Sequence, residues 1–347
     1  MHRVKLASIT CELPTKKLAN DDPIFRHLPE MSSRWWRFWG IETRGHFCPK
    51  RGENEFSAAR TAVNRLLHKN DTDPEDVDLL VCSASSPILT DSGGTLPNTG
   101  PRLYPRLSRV LKDSLNLKNA LAWDSQMECA SFLLNMKLAS CFIQQGKIKT
   151  AVIVCSEYVS NILDPTARSS TIFADGCAAA LLTRSGDFSD LLGSAQHSNA
   201  DHYEIATGKW RFPEREGVED RVKLYFTLLE EGQSTMQEFV PENVPIAVNN
   251  ALNNAGIESS QVDHFVFHQP SPLLVQAWAS SVGCPEHKYL QTMKNNGVMV
   301  SVSIPYTLHA ALNTGKIPKD GIVVLAGAST GWGFAAQVWR MGNVVTC

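Results

Sequence analysis

At 347 residues and 43% hydrophobic content, the chain can bury about three-quarters of the surface exposed when unfolded, enough for two tightly fused half-domains. A net charge of −2 gives no basis for nucleic-acid binding, and no apolar run is long enough to span a bilayer. Nine cysteines without regular spacing, no Cys-x-x-Cys pair, and a start at Met1-His-Arg-Val-Lys5 that leads into a strand pattern rather than a secretory core suit a cytoplasmic protein with reduced thiols and no structural zinc.

Hydrophobic periodicity predicts a strand over 4–10, a helix over 55–69, a strand over 77–83 and helices over 102–115 and 130–145. Strands over 151–155 and 178–183 follow. A charged segment with Gly and Pro, 207–221, reads as an exposed excursion. Beyond it the pattern predicts a helix over 243–255, a strand over 262–267, a helix over 271–282, and strands over 322–326 and 335–339. Strands alternating with helices predict an α/β fold.

Part of that alternation occurs twice. Ala62-Val63-Asn64, Val77-Asp78 and Ser86-Pro87 recur as Ala247-Val248-Asn249, Val262-Asp263 and Ser271-Pro272, always 185 positions later. Gly146-Lys147-Ile148 recurs as Gly315-Lys316-Ile317 at 169 positions. These echoes predict a duplicated α/β unit with halves at 1–185 and 186–347. Carried back from Gly146, the 169-residue offset points to Val298 as the region matching Cys129.

Cys129 lies in Asp124-Ser-Gln-Met-Glu-Cys-Ala-Ser-Phe132, directly before the apolar run 130–143. A helix start offers unpaired N–H groups and the positive dipole end, which stabilise a thiolate and lower the thiol pKa. The competing role is that of a small buried hydrophobe. His268 follows the predicted strand 262–267 and precedes Gln269-Pro270, so it projects from a strand end, where α/β proteins gather site residues. Loops after matching strands of a duplicated unit converge, which brings His268 towards Cys129. Gly327-Ala-Ser329-Thr-Gly331 satisfies a hydrolase-elbow pattern, but that fold needs its acid and histidine after the serine, and no Asp, Glu or His follows Ser329.

These residues resemble the β-ketoacyl-carrier-protein synthase III group of the thiolase superfamily from end to end. The likeness rests on Leu13-Pro14, Gly40-Ile41 with Arg44, the Cys129 segment, Phe173-Ala-Asp-Gly176, Phe267-His268-Gln269, Gly297 before Ser303-Ile304-Pro305, and Gly327 to Gly333. The resemblance implies a thiolase fold, with duplicated five-stranded α/β halves layered αβαβα. It makes Cys129 the acyl-accepting nucleophile and His268 the catalytic histidine, with the backbone N–H groups of Cys129 and Ala328 as the oxyanion hole. Arg34 and Arg37, among Trp35, Trp36, Phe38 and Trp39, fall where related enzymes meet the coenzyme A head group. Packing is the alternative role for the tryptophans. Arg102, Arg106, Arg109 and Lys112 share a helical face that suits solvent, phosphate or a partner.

The chain departs from the group at Val298, where an asparagine is usual after the glycine; Asn295 and Asn296 lie just upstream. Without that amide, malonyl elongation loses a donor. The residues before Cys129, the Ser83 to Pro87 strand exit and Val298 resemble the condensing subunits of bacterial 2-alkyl-4(1H)-quinolone synthases. That likeness implies a cytoplasmic heterodimer with a second, degenerate ketosynthase-like subunit. Its reaction would load a medium-chain acyl group from an acyl thioester such as acyl-coenzyme A, with no permanently bound cofactor, and condense it with 2-aminobenzoylacetate. Val298 would then be an apolar wall against the aromatic acceptor. The alternatives are an ordinary chain-initiating ketosynthase and a catalytically silent structural subunit.

Overall fold

The computed structural model describes residues 2–26, 28, 31–86, 104–186, 191–201, 203–211, 223–228 and 232–347. In chain order its strands and helices are β1 (Arg3–Glu12), β2 (Lys16–Ala19), α1 (Ser33–Trp39), β3 (Thr43–His46), α2 (Glu55–Lys69), β4 (Leu79–Ser83), α3 (Leu107–Ser114), β5 (Leu121–Asp124), α4 (Ser131–Gln144), β6 (Thr150–Glu157) and β7 (Gly176–Ser185). After these come β8 (Leu191–Ser198), β9 (Ala206–Arg211), β10 (Lys223–Leu228), α5 (Gly232–Ala255), β11 (His264–Phe267), α6 (Pro272–Ser281), α7 (Ser303–Asn313), β12 (Gly321–Ser329), β13 (Gly333–Met341) and β14 (Val345–Thr346).

Two sheets organise the molecule, one in the order β14-β1-β7-β6-β4-β5 and the other β11-β12-β13-β8. Helices α4 and α7 lie between them, each touching strands of both sheets, while α2 packs on the far face of the first sheet and α5 on that of the second. The layers therefore run αβαβα. Each helical layer has its own apolar cluster: Phe132, Met136 and Leu308 in the middle, Phe56, Leu66 and Leu111 outside the first sheet, and Val248, Val275 and Trp278 outside the second. A central strand covered on both faces reads as an apolar run, as β6 does from Ala151 to Cys155, and burial continues through Ser156 and Glu157 at its end.

The sheets differ from two equal sets of five. The first half supplies five strands, and the short β14 adds a sixth, pairing parallel to β1 through Ser8↔Val345 and Ile9↔Thr346. Among the described residues the second sheet has four, and the position matching β5 is reduced to one bridge, Phe265↔Tyr289.

The duplication is visible in detail. Short 3₁₀ turns at Pro74–Asp76 and Ser259–Gln261 repeat the 185-residue spacing, and Asp78 and Asp263 each accept a backbone N–H at the start of a neighbouring strand. Helix α7 has 11 residues against 14 in α4. The 169-residue spacing therefore holds at the helix ends and becomes 172 at their starts. The mate of Cys129 is Ser301, three residues beyond the Val298 expected from sequence.

Local signals explain most boundaries. Helix α2 begins at a capping box, in which the Asn54 side chain accepts the Ser57 N–H at 2.8 Å and Ser57 Oγ accepts the Asn54 N–H at 2.9 Å. Ser271 caps α6, with Pro272 in the first turn. Helix α3 starts at Leu107, later than expected; Arg102 and Pro87 lie outside the described residues. Helix α5 starts 11 residues before the predicted 243, running through Pro241 and Pro245. The 207–221 excursion is in part a ribbon, with β9 antiparallel to β10. Helix α7 escaped the sequence reading because Pro305 interrupts its pattern, yet a proline in the first turn removes an N–H that has no partner there.

Candidate active site

Cys129 sits in a tight turn, Glu128–Ala130, that joins the β5 exit to α4. Glu128 takes φ 37, uncommon for a residue with a side chain. Ser131 Oγ accepts the Met127 N–H at 2.8 Å, and Asn135 links the turn to β4 by accepting from Ser125 Oγ and donating to Ser83 Oγ at 2.7 Å. Close packing also holds the turn against β13, since a Cβ on Gly333 would lie 2.4 Å from Met127 Cε.

His268 leaves the end of β11, its N–H bonded to the Ala326 carbonyl at 2.8 Å. Gln269 anchors the loop through Phe267 and Leu290 carbonyls and the Thr292 N–H. A Cβ at Gly327 would come within 2.8 Å of His268 Cβ, so the absence of a side chain there lets the histidine pack against β12.

Cys129 and His268 meet in one apolar cavity, with Phe38, Trp39, Phe173, Leu274, Trp278, Val298, Ala328 and Trp332 in its wall. The helix-start expectation for the thiol is only half right. The position holds, but burial drives the Cys129 pKa far above its ordinary value, and the Glu128 and Glu157 carboxylates push it further. Backbone N–H groups of Cys129 and Thr330 pull it down and do not prevail, because desolvation of a fully enclosed sulfur exceeds what two partial charges return. Burial also lowers His268 to about 3, and among the described residues its Nδ1 has no hydrogen-bond partner. Burial thus favours the neutral thiol and the neutral imidazole.

Among the described residues no side-chain amide lines this cavity. Val298 occupies its wall, its N–H bonded to the Ile172 carbonyl at 2.9 Å and its carbonyl to the Ala174 N–H at 3.0 Å. Asn296 donates to the Thr292 carbonyl and Tyr306 hydroxyl, and Asn295 is exposed. Neither replaces the missing group. Ala328 lies in the cavity wall, while Ser329 Oγ closes the β12–β13 hairpin on the Gly333 backbone, a structural use that leaves it no base partner.

Helix α1 divides its residues by face. Phe38 and Trp39 form cavity wall and Trp35 Nε1 donates to Thr171, whereas Arg34 and Arg37 are exposed and absent from that wall. On α3, Lys112 donates to the Ala120 carbonyl at 2.7 Å, while Arg106 and Arg109 border a separate surface cleft beside Tyr104 and Trp123.

Two carboxyls had no role in the sequence reading. Glu157, fully enclosed at the end of β6, accepts from the Ser85 N–H and Ser301 Oγ; Glu128, next to the thiol, is raised to about 7 by burial and then by Glu157. The available signal was Glu128 itself, a charged residue directly before the predicted nucleophile.

Residues 123–200 match the family profile of 3-oxoacyl-[acyl-carrier-protein] synthase III, and residues 252–341 match its C-terminal profile. The chain is 57% identical over 348 residues, all of both proteins, to 2-heptyl-4(1H)-quinolone synthase subunit PqsC of Pseudomonas aeruginosa. It is 25% identical to β-ketoacyl-[acyl-carrier-protein] synthase III of Rickettsia felis, over 94% of this chain and 96% of the other. The fold matches 3-oxoacyl-[acyl-carrier-protein] synthase III of Aquifex aeolicus with a TM-score of 0.82 at 22% identity, covering 97% and 99% of the two chains. Among the described residues no helix is long and apolar enough to cross a membrane.

Proposed function

The chain belongs to the 3-oxoacyl-[acyl-carrier-protein] synthase III family of condensing enzymes, acyltransferases that work on thioesters, and from that premise we propose that it makes 2-alkyl-4-quinolones. An octanoyl-like group passes from acyl-coenzyme A to Cys129, and the carbanion released by decarboxylation of 2-aminobenzoylacetate attacks the acyl carbonyl. The observation that carries this reading is the cavity itself: Cys129, His268 and Val298 meet in an apolar wall that has no side-chain amide among the described residues.

In loading, neutral His268 takes the thiol proton as sulfur attacks, which avoids a standing buried thiolate. Backbone N–H groups of Cys129 and Ala328 receive the oxyanion. Decarboxylation then places negative charge on a carbon next to an aryl ketone, which delocalises it without the second donor that a malonyl thioester needs. The nucleophile comes from the half 1–185 and the histidine from 186–347. Arg34 and Arg37, exposed beside the cavity wall of α1, meet the donor's phosphates. A second, degenerate ketosynthase-like subunit completes the enzyme in the cytoplasm.

The test offers octanoyl-coenzyme A to the protein, alone and with that subunit, locates the label by peptide mass spectrometry, and then supplies 2-aminobenzoylacetate or malonyl-carrier protein. Octanoyl on Cys129 and alkylquinolone from the first acceptor are expected. Efficient malonyl elongation without alkylquinolone returns the chain to the ordinary ketosynthases, and an unlabelled Cys129 makes it a structural subunit.

A further inference from the structure

The cavity shared by Cys129 and His268 is not the only space at the nucleophile. A small enclosed space on another side of Cys129 is bounded by Ser85, Glu128, Val159, Phe173, Phe226, Val300 and Thr330. Ser85, Glu128, Phe226 and Thr330 also border a further cavity that reaches Tyr203 and Gly331. Among the described residues lining these three spaces, the titratable side chains are Cys129, His268, Glu128 and Tyr203. His268 borders only the first space and Glu128 only the other two, so the nucleophile has a distinct proton-carrying group in each direction.

Several features mark Glu128 as built in. It is the residue at positive φ in the nucleophile turn, and its Oε1 accepts from Gln126 Nε2 at 2.7 Å. Its equivalent in the second half is Val300, also at positive φ, so the turn does not require a carboxyl. Enclosure beside Glu157 holds the acid form up to about 7. Such a group can both give and take a proton near neutrality, which an ordinary surface glutamate does poorly.

On the alkylquinolone reading, condensation leaves one ketone at Cys129, the residue that lines both the His268 cavity and the small space bounded by Glu128. We propose that Glu128 is a second catalytic acid–base, which carries the protons of ring closure at that ketone while His268 serves the thiol. The aromatic amine nitrogen bonds to the ketone carbon, and the Glu128 acid gives its proton to the ketone oxygen as the C=O π bond breaks. The resulting carboxylate takes one proton from the now cationic nitrogen, leaving a neutral carbinolamine. Glu128 then protonates the hydroxyl, the C–O bond breaks to release water, and the carboxylate takes a proton from the carbon between the two former ketones. The ring becomes aromatic and Glu128 ends protonated, as it began. No oxidant or reductant takes part.

Among the described residues, the charged and titratable groups facing Glu128 are Glu157 from β6, Cys129 in its own turn and Tyr203 at the outer cavity. Glu157 is the one that raises it. Above about pH 7 the carboxylate form dominates and the step that protonates the ketone slows. Closure should therefore fall on the alkaline side of neutrality.

The experiment follows three quantities in the preparation whose wild type makes alkylquinolone: octanoyl on Cys129, carbon dioxide released, and quinolone against open aminophenyl diketone. In Glu128→Gln, quinolone formed per octanoyl-Cys129 should drop about 10²-fold or more, while carbon dioxide is still released from the acylated protein and the open diketone accumulates. Quinolone at the wild-type rate overturns the proposal, as does a loss of loading that matches the loss of product. Should Glu128→Gln fail to fold, Gln126→Leu decides. Removing that donor should move the alkaline limb of closure upward with loading unchanged, and an unmoved limb refutes the role. Wild-type protein that makes no quinolone refutes the underlying reading instead.

Discussion

The turn that holds Cys129 and its mate in the second half have the same backbone and different chemistry. Glu128 and Val300 take φ 37 and 45, each is followed by a buried residue with a nucleophilic atom, and each turn leads into a central helix. Cys129 opens on a cavity that also holds His268, whereas Ser301 spends its hydroxyl on Glu157. Duplication thus supplied the strained turn twice. A cavity and a histidine came with only one of the two.

The sharpest break of this comparison is Cys129→Ala, which should abolish acyl labelling altogether. Cys129→Ser should come close to that, since a hydroxyl is a far weaker nucleophile than a thiolate. Label retained at another residue, Ser301 included, would mean that the two turns are chemically less distinct than their surroundings indicate.

Next in size is His268→Ala, for which a loss of about 10²- to 10⁴-fold in loading is expected from removing a general base. Wild-type rates would detach the histidine from the thiol. Ser301→Ala should act on stability instead. It removes a donor from a buried carboxyl, at a cost of about 1–3 kcal/mol in denaturant unfolding, and leaves labelling of Cys129 intact. Lost labelling at unchanged stability would show that the mate turn takes part in the chemistry.

The smallest effect is a pH profile. With its pKa lowered to about 3 by burial, His268 is neutral throughout pH 5–8, so the loading step should show no limb near 6.5, where an exposed histidine titrates. A clear limb there, lost in His268→Ala, would mean that the imidazole is more solvated than the cavity implies. The same shift has a stability consequence. The unfolded chain binds a proton that folded His268 does not, so this contribution favours folding above about 6.5 and fades as pH falls towards 3.

Much of the fold was legible because its strands are covered on both faces and its elements recur. The apolar runs of β6 and β12 and the periodicity of α2 need no partner to be recognised. Short or interrupted elements were not legible: β5 and β14 are held by neighbours rather than by pattern, and α7 carries a proline. The Val298 offset missed the mate of Cys129 because a helix three residues shorter moves every position before it while leaving those after it in place.

Sequence by itself determined the identities that chemistry needs: one cysteine at a helix start, one histidine at a strand end, and a valine where an amide is usual. Periodicity and local order suffice to place the cysteine and the histidine, since helix starts and strand ends are set by neighbours along the chain, whereas the valine stands out only through the resemblance to the synthase III group. Tertiary structure alone decided their ionisation and company. Whether Cys129 is a thiolate, His268 a cation or Glu128 an acid depends on how much water the other half of the molecule displaces, and desolvation is a property of enclosure that no stretch of sequence carries alone.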